Sequence, residues 1–288
     1  MKKGLAHLPQ DKQEQLELIK DIILEKIPDV RMVVLFGSYA RGGWVEDIHI
    51  EGHTTHEYKS DFDILVATKS KKTAENADLH DTVQKAIEAT KKIDTPYSII
   101  YHTFDYVRQM VGEGHYFFTD IKKEGIHLYH TGKHSLGKAR KLTAEERKRI
   151  AEEDFKQWFK KAKDAYFMYG HAIRFRKYKE AAFNLHQATE RFYSAVTLVF
   201  INYRFRSHDI EMLGRKAVRY NVEFAKVFPR DTEGQRKAFT LLKKAYIDAR
   251  YKKDYRITKK QLEYLAERLK VLQRLTKKIC AEKVKSFV

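Results

Sequence analysis

The sequence predicts an α+β fold in two domains, a mixed sheet with helices followed by an all-α bundle of five helices. Three observations support this prediction. The length of 288 residues suits two domains. Short β-branched runs alternate with helical apolar spacing in the first half of the chain. The second half shows helical spacing alone. We predict domain bounds of 1–133 and 143–285.

The first predicted domain has a helix–strand–strand–helix–strand order. Leu16, Ile19 and Ile23 recur at helical spacing near the N-terminus, and the run that begins at Val30 is a buried strand ending in Gly-Ser. The predicted strands cover residues 30–36, 60–67, 97–104 and 126–129. The predicted helices cover residues 10–27, 74–92 and 105–125. This mixture is typical of an α+β domain.

The second predicted domain is marked by three capping boxes, each a threonine with Glu or Gln three residues later. The pairs are Thr143 with Glu146, Thr232 with Gln235, and Thr258 with Gln261. Each pair lets side chains satisfy the first free N–H groups of a helix. The predicted helices cover residues 144–171, 178–203, 209–226, 232–250 and 259–283. The lysine-rich stretch 132–141 is the predicted hinge between the domains.

The charge of the chain is concentrated in its second half. The formal net charge is +18, and residues 1–135 hold 18 basic and 21 acidic residues. The first half is therefore slightly acidic, and the remainder carries +21. A basic domain suits nucleic acid, a polyanionic nucleotide or an acidic partner, and a solvated lysine-rich helical surface is an equal alternative.

Several classes of protein are disfavoured by the composition. The sequence has no run of about 18 apolar residues, so it predicts no membrane span. The N-terminal lysines are not followed by an apolar stretch, so no secretory signal is predicted either. The single cysteine, Cys280, excludes an internal disulfide and a cysteine cluster for zinc. We therefore expect a cytoplasmic protein without a membrane partner.

Two segments of the first domain carry the residues that suit phosphate chemistry. Gly37 and Ser38 follow the first strand, and Arg41 comes three residues later. Asp61 and Asp63 stand two residues apart at the start of the next strand, so their carboxylates point to the same face. Paired carboxylates suit Mg²⁺, and glycine, serine and arginine suit phosphate oxygens. The set predicts a site for a nucleoside triphosphate with its metal.

This arrangement resembles the nucleotidyltransferase superfamily of the DNA polymerase β type, and more narrowly the kanamycin nucleotidyltransferase and minimal nucleotidyltransferase group. The resemblance rests on Gly37, Ser38, Asp61 and Asp63, with an Ala-Arg-Gly extension at residues 40–42. It implies that Gly37 and Ser38 bind the triphosphate, ATP being expected, and that Asp61 and Asp63 bind two Mg²⁺ ions. The implied reaction moves a nucleoside monophosphate to a hydroxyl acceptor.

Two features depart from that family pattern. The spacer between Ser38 and Asp61 has 22 residues instead of about ten, which predicts an added hairpin or flap at 45–58 with three histidines, His49, His53 and His56. The family also places a third carboxylate on the next strand. Ser98 stands there in this chain, and Asp94 and Asp105 flank it as possible substitutes.

The second half resembles the HEPN family of five-helix domains. The resemblance rests on residues 181–200, the Ser207-His208-Asp209 loop and Ala249-Arg250-Tyr251. It implies a domain that binds nucleotide or acceptor and forms a homodimer. HEPN ribonucleases place a histidine shortly after an arginine, but residues 251–257 contain none. His208 is interpreted as a structural residue, and Arg250 as a nucleotide contact or a cap for neighbouring helix ends.

Two further functions stay open beside the transferase. One is a regulatory or toxin–antitoxin type binding module with weak or no transferase activity, which the missing histidine favours. The other is a nonspecific RNA-binding protein, which aromatic residues among basic ones favour weakly. The intact acid pair, Asp61 and Asp63, favours the transferase.

Overall fold

The computed structural model describes residues 4–51, 54–132 and 135–287, with the backbone alone for 46–51 and 54–59. The chain divides into two compact units, 1–142 and 143–288. The first is an α+β unit and the second is helical, which confirms the predicted fold class in its coarse form. No described helix is long and apolar enough to cross a membrane.

The first unit is built on a four-stranded mixed sheet. Its strand order is β5-β4-β1-β6, in which β1 is antiparallel to β4 and β6, and β4 is parallel to β5. A separate pair, β2–β3, forms the hairpin predicted in the long spacer. The strands are β1 Val30–Phe36, β2 Glu46–Glu51, β3 Thr54–Lys59, β4 Phe62–Thr68, β5 Tyr97–Thr103 and β6 Ile126–His130. The helices are α1 Gln10–Lys26, α2 Gly37–Arg41, α3 Lys71–Ala74, α4 Ala77–Ala89, α5 Phe104–Glu113 and α6 Tyr116–Glu124.

The two faces of β4 have different roles because strand side chains alternate. Phe62, Ile64 and Val66 join the hydrophobic core formed with α1 and α4. Asp63 and the residues that alternate with it lie on the other face. The acid pair is therefore separated from the main core by the sheet itself.

A predicted single helix over 105–125 is two helices, α5 and α6, separated at Gly114. Gly114 has φ +84°, in the left-handed region that favours glycine. A Cβ atom there would also lie 2.8 Å from the Arg140 carbonyl oxygen. Both the backbone angle and this oxygen therefore disfavour any side chain at position 114. The break lets the chain after β6 pack against the end of α5.

The segment predicted as a hinge is packed against the first unit where it is described. Leu136 and Leu142 are buried, and the Arg140 N–H donates to the Val111 carbonyl. Lys122 on α6 donates to the Gly137 carbonyl. These contacts hold residues 135–142 as an ordered strap on α5 and α6 rather than as a free linker.

The second unit is a bundle of long and short helices around a buried central helix, α8. The helices are α7 Ala144–Arg174, α8 Tyr178–Ile201, α9 Ile210–Val218, α10 Glu233–Lys244, α11 Asp248–Tyr251 and α12 Lys259–Lys285, with a 3₁₀ turn at Val222–Lys226. All three predicted capping boxes form, at Thr143, Thr232 and Thr258.

Two predicted helices of the bundle are shorter than expected. The helix predicted over 209–226 ends at Val218, and Asn221 caps the following 3₁₀ turn by accepting a hydrogen bond from the Glu223 N–H. The helix predicted over 232–250 ends at Lys244 and resumes as α11. Asparagine favours such caps because its side chain competes with the helical backbone for hydrogen bonds.

Candidate functional site

The chain turns from β1 into the first residues of α2, Gly37 and Ser38, and this turn lies against the carboxylate of Asp63. Gly37 follows the last residue of β1 and has φ +79°. A Cβ atom at Gly37 would lie 2.3 Å from Asp63 Oδ2. This distance is too short for a non-bonded contact, so any side chain here would displace the turn or the carboxylate. Phe36 is paired with Asp63 across the two strands, which fixes this approach. Glycine is therefore required here both by the backbone angle and by the neighbouring carboxylate.

Asp61 and Asp63 lie together at the start of β4. Both residues are buried, Asp61 with 2% and Asp63 with none of its surface exposed. Ser38, the second residue of the turn, has a buried Oγ with no hydrogen-bond partner among the described residues. The structure thus brings Gly37 and Ser38 beside Asp63, with Asp61 two residues away along the chain.

Arg41 lies at the end of α2 and faces a different partner. Its guanidinium is 3.6 Å from the Glu124 carboxylate at the end of α6, and over half of its side chain is exposed. An arginine in this state can exchange its partner for a phosphate, because an exposed ion pair is weak. Its assignment as a phosphate ligand stays a prediction.

The hairpin β2–β3 is joined to the sheet immediately before the acid pair. The Ser60 N–H donates to the Val45 carbonyl at 2.8 Å, and the Val45 N–H donates to Ser60 Oγ at 3.0 Å. Ser60 directly precedes Asp61. His49 and His56 are paired across the hairpin backbone, while His53 lies outside the described residues.

The two acids that flank Ser98 contact other side chains. Asp94 accepts hydrogen bonds from Gln15 at 2.7 Å and from Lys12 at 3.4 Å, both on α1. Asp105 is on α5, after the opposite end of β5, and pairs with Arg108 at 3.2 Å. Among the side chains that the structure describes, no group of three His, Cys, Asp or Glu residues is arranged to hold a metal ion.

The bundle contains a buried carboxylate between two histidines. Glu190 on α8 accepts a hydrogen bond from His208 Nδ1 at 2.9 Å, and His186 Nε2 lies 3.8 Å from the same oxygen. His186 Nδ1 donates to the Leu242 carbonyl, and burial lowers the pKa of His186. His208 also stacks on Tyr246 with ring centroids 3.7 Å apart. These contacts fix the loop after α8, as the structural interpretation of His208 expects.

Arg250 is surrounded by aromatic rings near the same cluster. Its guanidinium lies 4.4 Å from the ring centroid of Tyr246, 5.1 Å from that of Phe183 and 4.9 Å from that of Tyr251. Its Nε donates to the Tyr246 carbonyl, so the arginine satisfies the end of a helical segment. Of the two interpretations of Arg250, this hydrogen bond supports the cap.

Glu211 on α9 is a partly buried carboxylate between two cationic side chains. It pairs with Arg230 and with Lys243 of α10. Burial alone would raise the pKa of Glu211, but the hydrogen bonds and charges of Lys243 and Arg230 outweigh it and hold the pKa below the ordinary 4.5. A carboxyl with a lowered folded pKa contributes stability above its unfolded pKa and loses it as the pH falls through the folded value.

We expect Glu211→Gln to reduce the acid dependence of bundle stability as the pH falls through and below 4.5, the ordinary glutamate pKa. Urea unfolding at a series of pH values, followed by the fluorescence of Trp158, measures it. The matched control is Glu263→Gln, since the ion pair of Glu263 on α12 with Lys259 is exposed. An unchanged pH slope in Glu211→Gln would show that the two cations do not act through this carboxyl.

Comparison with known families identifies the helical unit. A family model described as HEPN domain matches residues 144–279. This match covers helices α7 to α12 up to the last turns of the chain, and it begins after the α+β unit. A search of curated proteins found no match to the chain. Residues 144–279 therefore form a HEPN domain.

Proposed function

We propose that the α+β unit is a Mg²⁺-dependent nucleotidyltransferase that moves a nucleoside monophosphate, from ATP as the expected donor, to a hydroxyl acceptor. The observation that carries the proposal is the contact between the Gly37 turn and the carboxylate of Asp63. A phosphate-binding turn and a metal-binding acid pair are required side by side for this chemistry, because the metal and the turn hold the same phosphate groups.

The residues at this place fit a magnesium ion and a triphosphate. Asp61 and Asp63 offer the carboxylate oxygens that this hard cation prefers. The buried Oγ of Ser38 has no hydrogen-bond partner among the described residues, so it is available to donate to a phosphate oxygen. When bound, Mg²⁺ would neutralise charge on the phosphates and orient them. Asp61 and Asp63 would hold it.

The HEPN domain is proposed to contribute charge to the same reaction. The second half of the chain carries the whole positive excess, with 39 basic and 18 acidic residues after position 135. Such a surface raises the local concentration of anions and repels cations. We therefore favour an anionic acceptor, such as an RNA end or an acidic protein, over a cationic amino sugar. Formation of a homodimer through the HEPN domain is a separate proposal.

The proposal is tested by nucleotide binding and by transfer of labelled nucleotide. Trp158→Phe leaves Trp44 as the one tryptophan, and Trp44 stacks on Tyr39 of α2 with centroids 5.5 Å apart. We expect Mg²⁺-ATP to change Trp44 fluorescence. Asp61→Asn/Asp63→Asn should abolish this response and lower transfer by at least about 10³-fold, since removal of the metal removes the main stabilisation of phosphate charge.

Asp105→Asn is the control for this experiment. Asp105 is an exposed carboxylate at the far end of β5, so its removal should leave both the fluorescence response and transfer near the wild-type values. Mg²⁺-dependent transfer that persists in the double variant would refute the proposal. A loss of transfer in Asp105→Asn would show that Asp105 supplies the third carboxylate after all.

A binding module without transfer is the second candidate, and the position of Ser98 favours it. The strand beside Asp63 presents a hydroxyl where the resemblance implies a carboxylate, and Asp94 is engaged with α1. A toxin–antitoxin type regulator would bind Mg²⁺-ATP through the same acid pair without transferring the nucleotide. A Trp44 fluorescence response to Mg²⁺-ATP, without transfer of the nucleotide to protein, RNA or small-molecule hydroxyls, would separate this candidate from the first.

A further inference from the structure

Ser98 occupies the position on the neighbouring strand that directly faces the acid pair. In the parallel β4–β5 pair, Asp63 is in register with Ser98 and Phe62 with Tyr97. Residues in register on adjacent strands present their side chains to the same face of a sheet. Phe62 and Tyr97 pack on the hydrophobic core, so Asp63 and Ser98 share the opposite face. Ser98 is also buried, with 8% of its surface exposed.

The acids closest to Ser98 in sequence do not replace it. Asp94 is bound by Gln15 and Lys12 on α1, and Thr95 also donates to it. Asp105 follows Thr103, which is in register with Thr68 at the other end of β4. Five residues of strand separate Thr68 from Asp63, a distance of about 17 Å at the usual rise per residue.

Two carboxylates and a hydroxyl offer the protein ligands of one divalent cation. Mg²⁺ is usually held by one or two carboxylates together with substrate phosphates, and Asp61 and Asp63 complete that set for one ion. A second ion, about 3.5–4 Å away, needs protein oxygens of its own. A carboxylate at position 98 would bring a third oxygen ligand of the right charge to the same face.

We propose that the acid pair binds a single divalent ion with the nucleotide, and that Ser98 is the residue that sets this number. This inference rests on the proposed function and replaces the expectation of two ions. It assigns to Ser98 a positioning role in metal stoichiometry. It also predicts that one substitution, Ser98→Asp, converts the site from one ion to two.

Counting Mn²⁺ ions tests the inference without measuring activity. Electron paramagnetic resonance would count protein-bound Mn²⁺ in the presence of a saturating ATP analogue that cannot be transferred. We expect one ion in the wild-type protein, two in Ser98→Asp and one in Ser98→Asn, which matches the size of aspartate without its charge. Thermal unfolding should show a larger Mn²⁺-induced rise in melting temperature for Ser98→Asp than for Ser98→Asn.

The outcomes separate this inference from the proposed function. Two ions in the wild-type protein would overturn the inference and leave the acid pair as a metal site. One ion in both wild type and Ser98→Asp would refute the role of Ser98. No protein-bound ion in the wild type would refute the proposed function itself. If Ser98→Asp does not fold, because three carboxylates repel one another without metal, the wild-type count of one or two still decides.

Discussion

Gly37→Ala is expected to destabilise the α+β unit by about 3 kcal/mol. Part of this loss, about 1–2 kcal/mol, comes from forcing a residue with a Cβ into a left-handed backbone conformation. The rest comes from the contact with Asp63, whose Oδ2 would lie 2.3 Å from the new methyl group. Either the turn or the buried carboxylate must move, and β1 and β4 are held by their pairing.

Gly42→Ala is the matched control for Gly37→Ala. Gly42 has a similar φ of +84°, at the C-terminal cap of the same helix, but a Cβ there would come no closer than 3.7 Å to the His7 ring. We expect Gly42→Ala to lower the free energy of unfolding only by the cost of the left-handed backbone conformation, about 1–2 kcal/mol. Urea unfolding of Trp158→Phe variants, followed by Trp44 in the same unit, measures both. Equal losses for the two glycines would refute a close contact with Asp63.

A double-mutant cycle isolates the contact itself. Combining Gly37→Ala with Asp63→Ala should recover more than about 1 kcal/mol relative to the sum of the single changes, because the clash no longer exists. Combining Gly42→Ala with Asp63→Ala should give additive losses. The cycle also connects stability to function, because the same contact carries the proposed nucleotide site.

Glu190→Ala is expected to destabilise the HEPN domain by about 2–4 kcal/mol. The substitution leaves a cavity on α8 and removes the hydrogen-bond acceptor of His208, and both losses destabilise the domain. Glu190 has only 7% of its side chain exposed, while that of His208 is half exposed. His208 can therefore form a hydrogen bond with water instead. This keeps the loss in the free energy of unfolding smaller than it would be if His208 were fully buried.

Glu190→Gln is the control, since it keeps the volume and one oxygen acceptor, and we expect it to cost about 1 kcal/mol. Urea unfolding of Trp44→Phe variants, followed by Trp158 on α7, reports the bundle alone. Hydrogen exchange should increase in residues 202–209 in Glu190→Ala, because this loop loses its anchor. A loop that exchanges as in the wild type would show that Tyr246 stacking alone holds His208.

The periodic elements of this fold could be predicted from the sequence, and its interruptions could not. Runs of β-branched residues predict β1 and the buried strand β4. The three capping boxes predict helix starts, because they depend on local hydrogen bonds. The break at Gly114 depends on the Arg140 carbonyl, which is 26 residues away along the chain. The strap 135–142 looks like a linker by composition, and only its tertiary contacts with α5 and α6 show otherwise.

The acid pair was predictable for the same reason as the strands. A period of two places Asp61 and Asp63 on one face without any knowledge of the rest of the fold. The register that puts Ser98 beside Asp63 depends on the crossover through α3 and α4, which local patterns do not determine. The hydrogen bond from Gln15 to Asp94 joins residues 79 positions apart, so local patterns could not predict it.

The strap 135–142 has a practical consequence for dividing the chain. A fragment that stops at residue 133 would uncover the surface of α5 and α6 under Leu136 and Leu142, and would leave the Val111 carbonyl without the Arg140 N–H. A fragment that stops at 142 keeps these contacts and also ends just before the capping threonine of α7. Protease cleavage after Lys138, Arg140 or Lys141 should consequently be slower than in a linker without these contacts.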